Sequence, residues 1–519
     1  MAQTIEFPVP ALGERNDMPD NEVPIGAMRV CQNMYRNNKG RLQIRPGYKI
    51  ATASTNPGGR IMGIHHFRTA VADEIVVAAN LTGVWSYAGG AWTDITLGGG
   101  ALTGTARNHV RFMTFGVSGT YKVVIVNGVD TPKIWNGSAA AYSTLGGSPG
   151  IAIDGAVAAN RLLILVAPDL IKISDFNNPE VWPSGAGFNV RLIDSGDLLV
   201  GMERLNRTSV AIFGEESQWV ARAQAGGSPF RFERIAERPG PLSAAAIVGV
   251  GGTIYYLAED YNIYKFDGST CAPVGFAMWP FIRESIDVGN RRQAHGMFME
   301  GLNKIFFFFT ESGATSPGLG VFYDVTTGEM GRLRFSGITA SAHIRIASGV
   351  TWDSLTAYTW DSLGTDYPTW DSFGEIDATR GNAVGDTLGN VHIVGKGDGS
   401  DNGNPIEAIW ETPLKAYGGW AFNFVPESFD TFFRKSNTAI TVEPSLGFTN
   451  TLMEDPEYVA LDDFDLSIDA RRSIDLSLVE EKRFVTLRHK VNSPSGQVEW
   501  QGGIMVGSEA DIAKGPTQP

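Results

Sequence analysis

Residues 253–268 read TIYYLAEDYNIYKFDG. An apolar stretch at 253–257 is followed by a short polar break and a second stretch at 262–266, which ends on the turn pair Asp267-Gly268. Short runs rich in β-branched and aromatic residues, bounded by turn residues, are strands and not helices. The same form recurs along the chain. Its six copies pair residues 74–79 with 83–87, 121–126 with 132–135, 161–167 with 170–174, 208–213 with 217–221, 253–257 with 262–266, and 304–309 with 318–323. The copies start at 74, 121, 161, 208, 253 and 304, so they are 40 to 51 residues apart. A period of this size is that of a four-stranded propeller blade. Stacking such units around an axis buries both faces of each sheet and leaves short, protected edges.

Three copies carry an aromatic-x-Gly word after the second strand: Tyr87-Ala88-Gly89, Trp135-Asn136-Gly137 and Phe266-Asp267-Gly268. The glycine supplies a left-handed turn angle and the aromatic fills space between sheets. The expected fold is therefore mainly β. It is a six-bladed propeller over 61–398, and a seventh blade can be built around 391–394. Residues 1–60, with six prolines and only short strands such as 42–44, read as an N-terminal arm or platform. Residues 399–506 read as a second β domain, with strands at 407–412, 420–425, 439–443, 484–489 and 497–500. Within it, 429–435 fits a strand or a helical turn, and the acidic stretch 453–481 reads as exposed loops. Residues 507–519 read as a loose tail. An insertion at 352–374 repeats Trp352-Asp353-Ser354, Trp360-Asp361-Ser362 and Trp370-Asp371-Ser372. Its aspartates cap turns and its tryptophans anchor short hairpins or meet a partner. They lack the dense alternation of a calcium loop.

The 519 residues carry a formal charge of −14, with 56 acidic against 42 basic side chains. Tight general binding to nucleic-acid backbone needs a basic surface, so this composition argues against it. It permits DNA to pass nearby without sticking. The two cysteines, Cys31 and Cys271, form no disulfide framework; both are expected reduced, buried and inert, with one long-range bridge as the alternative. The N-terminus lacks a basic segment followed by an apolar one, and no apolar run approaches the roughly 20 residues of a spanning helix. A soluble protein with no membrane insertion is expected.

A search for catalytic chemistry finds little. His65 and His66 are adjacent on a strand, point to opposite faces and make no joint ligand set. No CxxC pair, nucleophile elbow, phosphate loop or dinucleotide fingerprint is present. Carboxylates at Asp175, Glu215-Glu216, Glu259-Asp260 and Asp324 keep a propeller glycosidase in play. The expectation is no enzyme, no catalytic residue, no cofactor and no metal.

The N-terminal words carry a resemblance. Asn33-Met34-Tyr35-Arg36-Asn37, Gly40, Leu42 and Arg45-Pro46-Gly47-Tyr48 resemble the opening of tail hub and nozzle proteins of short-tailed, double-stranded-DNA phages, a group related to packaged-DNA stabilisation and tail tubular B proteins. Ser174-Asp175 with Asn178-Pro179-Glu180-Val181-Trp182, Phe213-Gly214-Glu215 with Trp219, and Gly240-Pro241-Leu242-Ser243 are similar to later segments of that group. The likeness spans roughly 20–330. It implies a virion tail protein in six copies, a homohexameric DNA conduit below the portal and adaptor. Such a ring retains packaged DNA, passes it during ejection and mounts fibres or a needle. Arg36, Arg41 and Arg45 are expected either on a neighbouring subunit or on the edge of their own propeller. The alternatives are a propeller glycosidase or carbohydrate-binding protein, and another virion scaffold protein.

Overall fold

The computed structural model describes residues 2–50, 56–69, 74–88, 91–96, 100–117, 120–192, 197–346, 379–395, 400–415, 422–436, 439–449, 455–476, 484–493 and 498–511. The insertion at 352–374 lies outside them.

The run Lys304–Phe309 shows why its sequence is apolar at nearly every position. Successive side chains of a strand point to opposite faces. Ile305, Phe307 and Phe309 pack with Tyr255 and Leu257 on one side. Phe306 and Phe308 pack with Ile338, Val384 and Val394 on the other. A strand covered on both faces reads as a continuous hydrophobic run, whereas a half-solvated one alternates. The same division splits Leu163 and Leu165 from Leu162 and Ile164, and Val210 and Ile212 from Ala211 and Phe213.

All six strand pairs read from the sequence are present, shifted by at most a residue or two at their ends. Five are the middle pairs of four-stranded antiparallel sheets; the sixth is the middle pair of four antiparallel strands that continue into a larger sheet. The first sheet runs Ile61–Arg68, Glu74–Asn80, Val84–Ala88 and Ala91–Asp94, and the second Arg111–Val117, Thr120–Val126, Lys133–Trp135 and Ser143–Thr144. The third starts at Ala152–Ala158, the fourth at Leu199–Asn206, the fifth at Ile247–Val250 and the sixth at His295–Met299. A further run pairs Ile338–Ile346, Thr379–Asp386 and Val391–Val394 with Tyr48–Ile50, so the N-terminal region supplies its outer strand. First strands of successive sheets lie side by side, and Ile338–Ile346 packs against Ile61–Arg68. Apolar clusters fill the spaces between neighbouring sheets, including one that joins Ala340 and Ala383 to Ile61 and Val76. The chain is thus mainly β and propeller-like.

Glycines in the first strands let the sheets crowd together. A Cβ on Gly63 would overlap the Val110 carbonyl, and one on Gly155 would sit 2.6 Å from Met113 Sδ. One on Gly296 would sit 2.7 Å from Val248 Cγ2. The aromatic-x-Gly words work in the same way from outside. Gly137 (φ 85°) leaves room for Phe67 of the preceding sheet, and Gly268 (φ 84°) for Leu205. The side chains of Asn136 and Asp267 cap their own turns.

Residues 2–50, within the segment read as an arm or platform, pair with distant parts of the chain. Val30–Gln32 continues the sixth sheet beside Met330–Arg334 and pairs on its other side with Asn404–Glu411. Ala2–Phe7 and Leu42–Ile44 pair with Glu499–Asp511. Phe7, Met28, Met34 and Leu42 therefore share one core with Trp410, Phe429 and Trp500. The reading of a tail from 507 onward also needs correction: the strand Glu499–Asp511 runs on past 506, because Ala2 pairs with Ser508 and Phe422 with Asp511. Residues 429–433 belong to the strand Phe422–Phe433. The acidic stretch holds short strands at Glu457–Ala460, Phe464–Asp465 and Arg471–Asp475 where loops alone were expected. Cys31 and Cys271 are both free; Cys31 is buried, whereas Cys271 is partly exposed. Among the described residues no helix is long and apolar enough to cross a membrane.

Candidate functional site

Antiparallel pairing brings the start of each first strand and the end of each second strand to the same end of a sheet. At this end, loops of the second to sixth sheets enclose a cavity of about 330 Å³. Arg107, Asn108 and His109 reach it from before the second sheet, and Asn127 and Gly128 from after that sheet's second strand. Pro168, Leu198, Glu215, Ser243 and Arg292 complete the wall from equivalent loops.

Two histidines meet beside this cavity, one of them in its wall. His109, ahead of the second sheet, lies beside His295, which opens the sixth; their ring centroids are 6.1 Å apart. Both rings are buried. Burial pushes His109 down to about 4 and His295 to about 3, helped in both by the charge of Arg60. Neither Nε2 has a hydrogen-bond partner. Further along the first strands, Arg111 Nε donates to Asp154 Oδ1 at 3.2 Å, and its Nη2 lies 3.7 Å from Glu203. Asp154 is fully buried and also accepts from Met202 N at 2.9 Å. Burial lifts its carboxyl above the usual range against the pull of Arg111.

The carboxylates singled out in the sequence are dispersed. Glu215 and Glu259 come together, but on one guanidinium: Arg292 Nη2 is 2.9 Å from Glu215 and 3.0 Å from Glu259. Arg291 also holds Glu259 at 3.0 Å. Asp260 accepts from Tyr264 Oη at 2.9 Å, and Asp324 is paired with buried Lys304. Asp175 closes a local turn by bridging to Asn178. Glu216 contributes its backbone N–H to Asp197. His65 meets Thr114 at 2.7 Å and stacks on Phe112, while His66 pairs with Glu74, so the two rings do serve opposite faces. Among the described residues, no group of three or more His, Cys, Asp or Glu side chains could hold a metal. The cavity itself was not legible in the sequence, since His109, Arg107, His295 and Arg292 belong to no motif.

The words that carry the resemblance sit at joints. Arg45 is 1% exposed. Its two Nη atoms grip Asp401, Nε donates to Asn33 Oδ1 at 2.9 Å, and Nη2 donates to Arg334 O at 2.8 Å. Its guanidinium also lies 3.6 Å above the Phe335 ring. Arg41 binds Glu499 at 2.8 Å. Arg41 and Arg45 are thus engaged within their own chain. Gly47 passes so close to Ser400 that a Cβ would lie 2.7 Å from its carbonyl carbon. Tyr48 stacks on Phe335. In the middle segment, Glu180 binds Lys122 at 2.5 Å and Trp182 Nε1 donates to Gly146 O at 3.1 Å, which ties the third sheet to the second.

Compared with known proteins, the chain matches no family model and no curated protein.

Proposed function

We propose that this chain is a structural component of a short-tailed phage tail, a nozzle or hub. In that reading six copies form a DNA conduit below the portal and adaptor. The conduit retains packaged DNA and passes it during ejection, with fibres or a needle mounted on it. We further propose that the sheets are seven blades, the last completed by Tyr48–Ile50, and that the strands from both termini form one flanking β domain. The observation that carries the reading is the use made of the resembling words. Arg45, Gly47, Tyr48, Glu180 and Trp182 all tie sheets or chain ends together, as a rigid wall segment requires.

A role without catalysis agrees with the state of the carboxylates. Glu215 and Glu259 are neutralised by Arg291 and Arg292, and the cavity wall carries no Trp, Tyr or Phe on which a sugar could stack. The formal charge of −14 suits a bore that DNA slides past without adhering. A heterologous contact that closes by rotation makes a tube from one sequence. Electron microscopy of the purified protein with its adaptor and portal tests the proposal. A six-fold ring docked on the adaptor, with a negative inner surface, is the expected image. A chain that stays monomeric in the presence of that partner overturns it, as does hydrolysis of a polysaccharide that depends on Glu215.

A further inference from the structure

The cavity on the loop end of the sheets sets one guanidinium without a counter-charge beside an apolar wall; its other guanidinium, Arg292, is held by Glu215, which also lines the cavity, and by Glu259. Among the described residues Arg107 meets no carboxylate. Half-buried Arg60, which does not line the cavity but whose charge acts on His109, meets none either: it donates to Gln293 Oε1 and, at 3.4 Å, to Thr315 O, and its Nε has no partner. A guanidinium of the wall with no counter-charge is free to take an anion's oxygens. His109 lines the cavity, is 8% exposed, and keeps its buried Nε2 without a partner. An unmade buried hydrogen bond is a standing cost that a ligand oxygen can relieve. Facing these groups are Ile153, Pro168, Val200 and Leu198, the last 46% exposed despite its apolar side chain.

We propose that this cavity binds a small organic anion, with a phosphate or carboxylate head against Arg107 and His109 and an apolar body against Leu198, Pro168 and Ile153. The volume of about 330 Å³ suits a molecule of this size. A metal ion fits poorly, because Arg60 lies beside both histidines and fewer than three ligating side chains converge. This assignment stands apart from the tail reading and survives its failure.

Calorimetry on the full chain tests it with four probes: inorganic phosphate, phenyl phosphate, benzoate and benzyl alcohol. Phenyl phosphate is expected to bind about tenfold more tightly than inorganic phosphate, and benzyl alcohol not measurably. Arg107→Ala removes an exposed side chain, leaves the fold intact and weakens phenyl phosphate about tenfold. Leu198→Ser narrows the gap between phenyl and inorganic phosphate. Benzoate binding comparable to phenyl phosphate assigns the head as any oxyanion; benzoate failing where phenyl phosphate binds assigns it as phosphate. The proposal is overturned if phenyl phosphate shows no saturable binding at millimolar concentration, or binds the Arg107→Ala protein equally well. A 5′-phosphorylated hexanucleotide that binds more tightly than phenyl phosphate also overturns it, because the site then serves nucleic acid.

Discussion

Asp401→Ala isolates the joint between the N-terminal segment and the last run of sheet. The substitution takes away both oxygens that Arg45 grips and leaves a guanidinium in a site where only 1% of the residue is exposed. Breaking a buried pair from one side costs about 3–5 kcal/mol, because the remaining charge is uncompensated. Here the Asn33 and Arg334 oxygens and the Phe335 ring still face the cation, which places the cost at the lower end, about 3 kcal/mol. The loss is local, since Asp401 also pairs with Tyr48, the first residue of the closing strand. Hydrogen exchange at 48–50 and 391–394 is the assay. A cost of 3 kcal/mol corresponds to roughly a hundredfold faster exchange, at about 1.4 kcal/mol per factor of ten. The double variant Arg45→Met/Asp401→Leu removes both charges and is expected to recover most of that protection. An acceleration of less than about threefold in Asp401→Ala, the behaviour of a solvent-exposed pair, refutes the reasoning.

Three further outcomes follow from the same structure. Glu329 is 2% exposed, and burial pushes its carboxyl up to about 7, with Lys304 opposing. Its proton is held in the fold up to that pH but in the unfolded chain only to about 4.5, so its contribution is full below 4.5 and lost as pH rises through 7. Glu329→Gln should therefore gain about 3 kcal/mol on the parent protein between pH 4.5 and 7.5 in urea titrations, and parallel profiles count against the buried carboxyl. His489 is fully buried against Trp410, with ring centroids 4.9 Å apart, and burial pushes it down to about 3. Its contribution is present above 6.5 and is lost as pH falls toward 3, so His489→Phe should gain about 3 kcal/mol on the parent between pH 7 and 4.5, read from acid unfolding midpoints. Gly63→Ala forces a methyl into the Val110 carbonyl and should cost about 1–3 kcal/mol, whereas Gly227→Ala, with nothing within 4 Å, should leave the melting temperature unchanged.

Much of the sheet structure was legible because its signal is local. A strand buried on both faces must be apolar at successive positions, and 304–309 or 161–167 can be read as such without knowing what covers them. The turns are equally local, since Asn136-Gly137 and Asp267-Gly268 cap themselves. The outer strand Tyr48–Ile50 was not legible: three residues, one of them a lysine, carry no strand pattern of their own, and their partners lie some 340 residues away at Val391–Val394. The run at 507–511 was misread for the same reason, because its pairing with Ala2 joins the two ends of the chain.

The candidate site divides in the same way. The sequence determined by itself that the chain is a repeated β structure with no metal or nucleophile motif, since motifs and strand periods depend on residues near one another in the chain. Only the tertiary structure decided that Glu215 and Glu259 meet on Arg292, that Arg45 is buried in its own chain, and that His109 faces His295. Those residues are brought together by the packing of sheets far apart in sequence, which depends on which edges pair and which faces meet, a property that no single strand encodes.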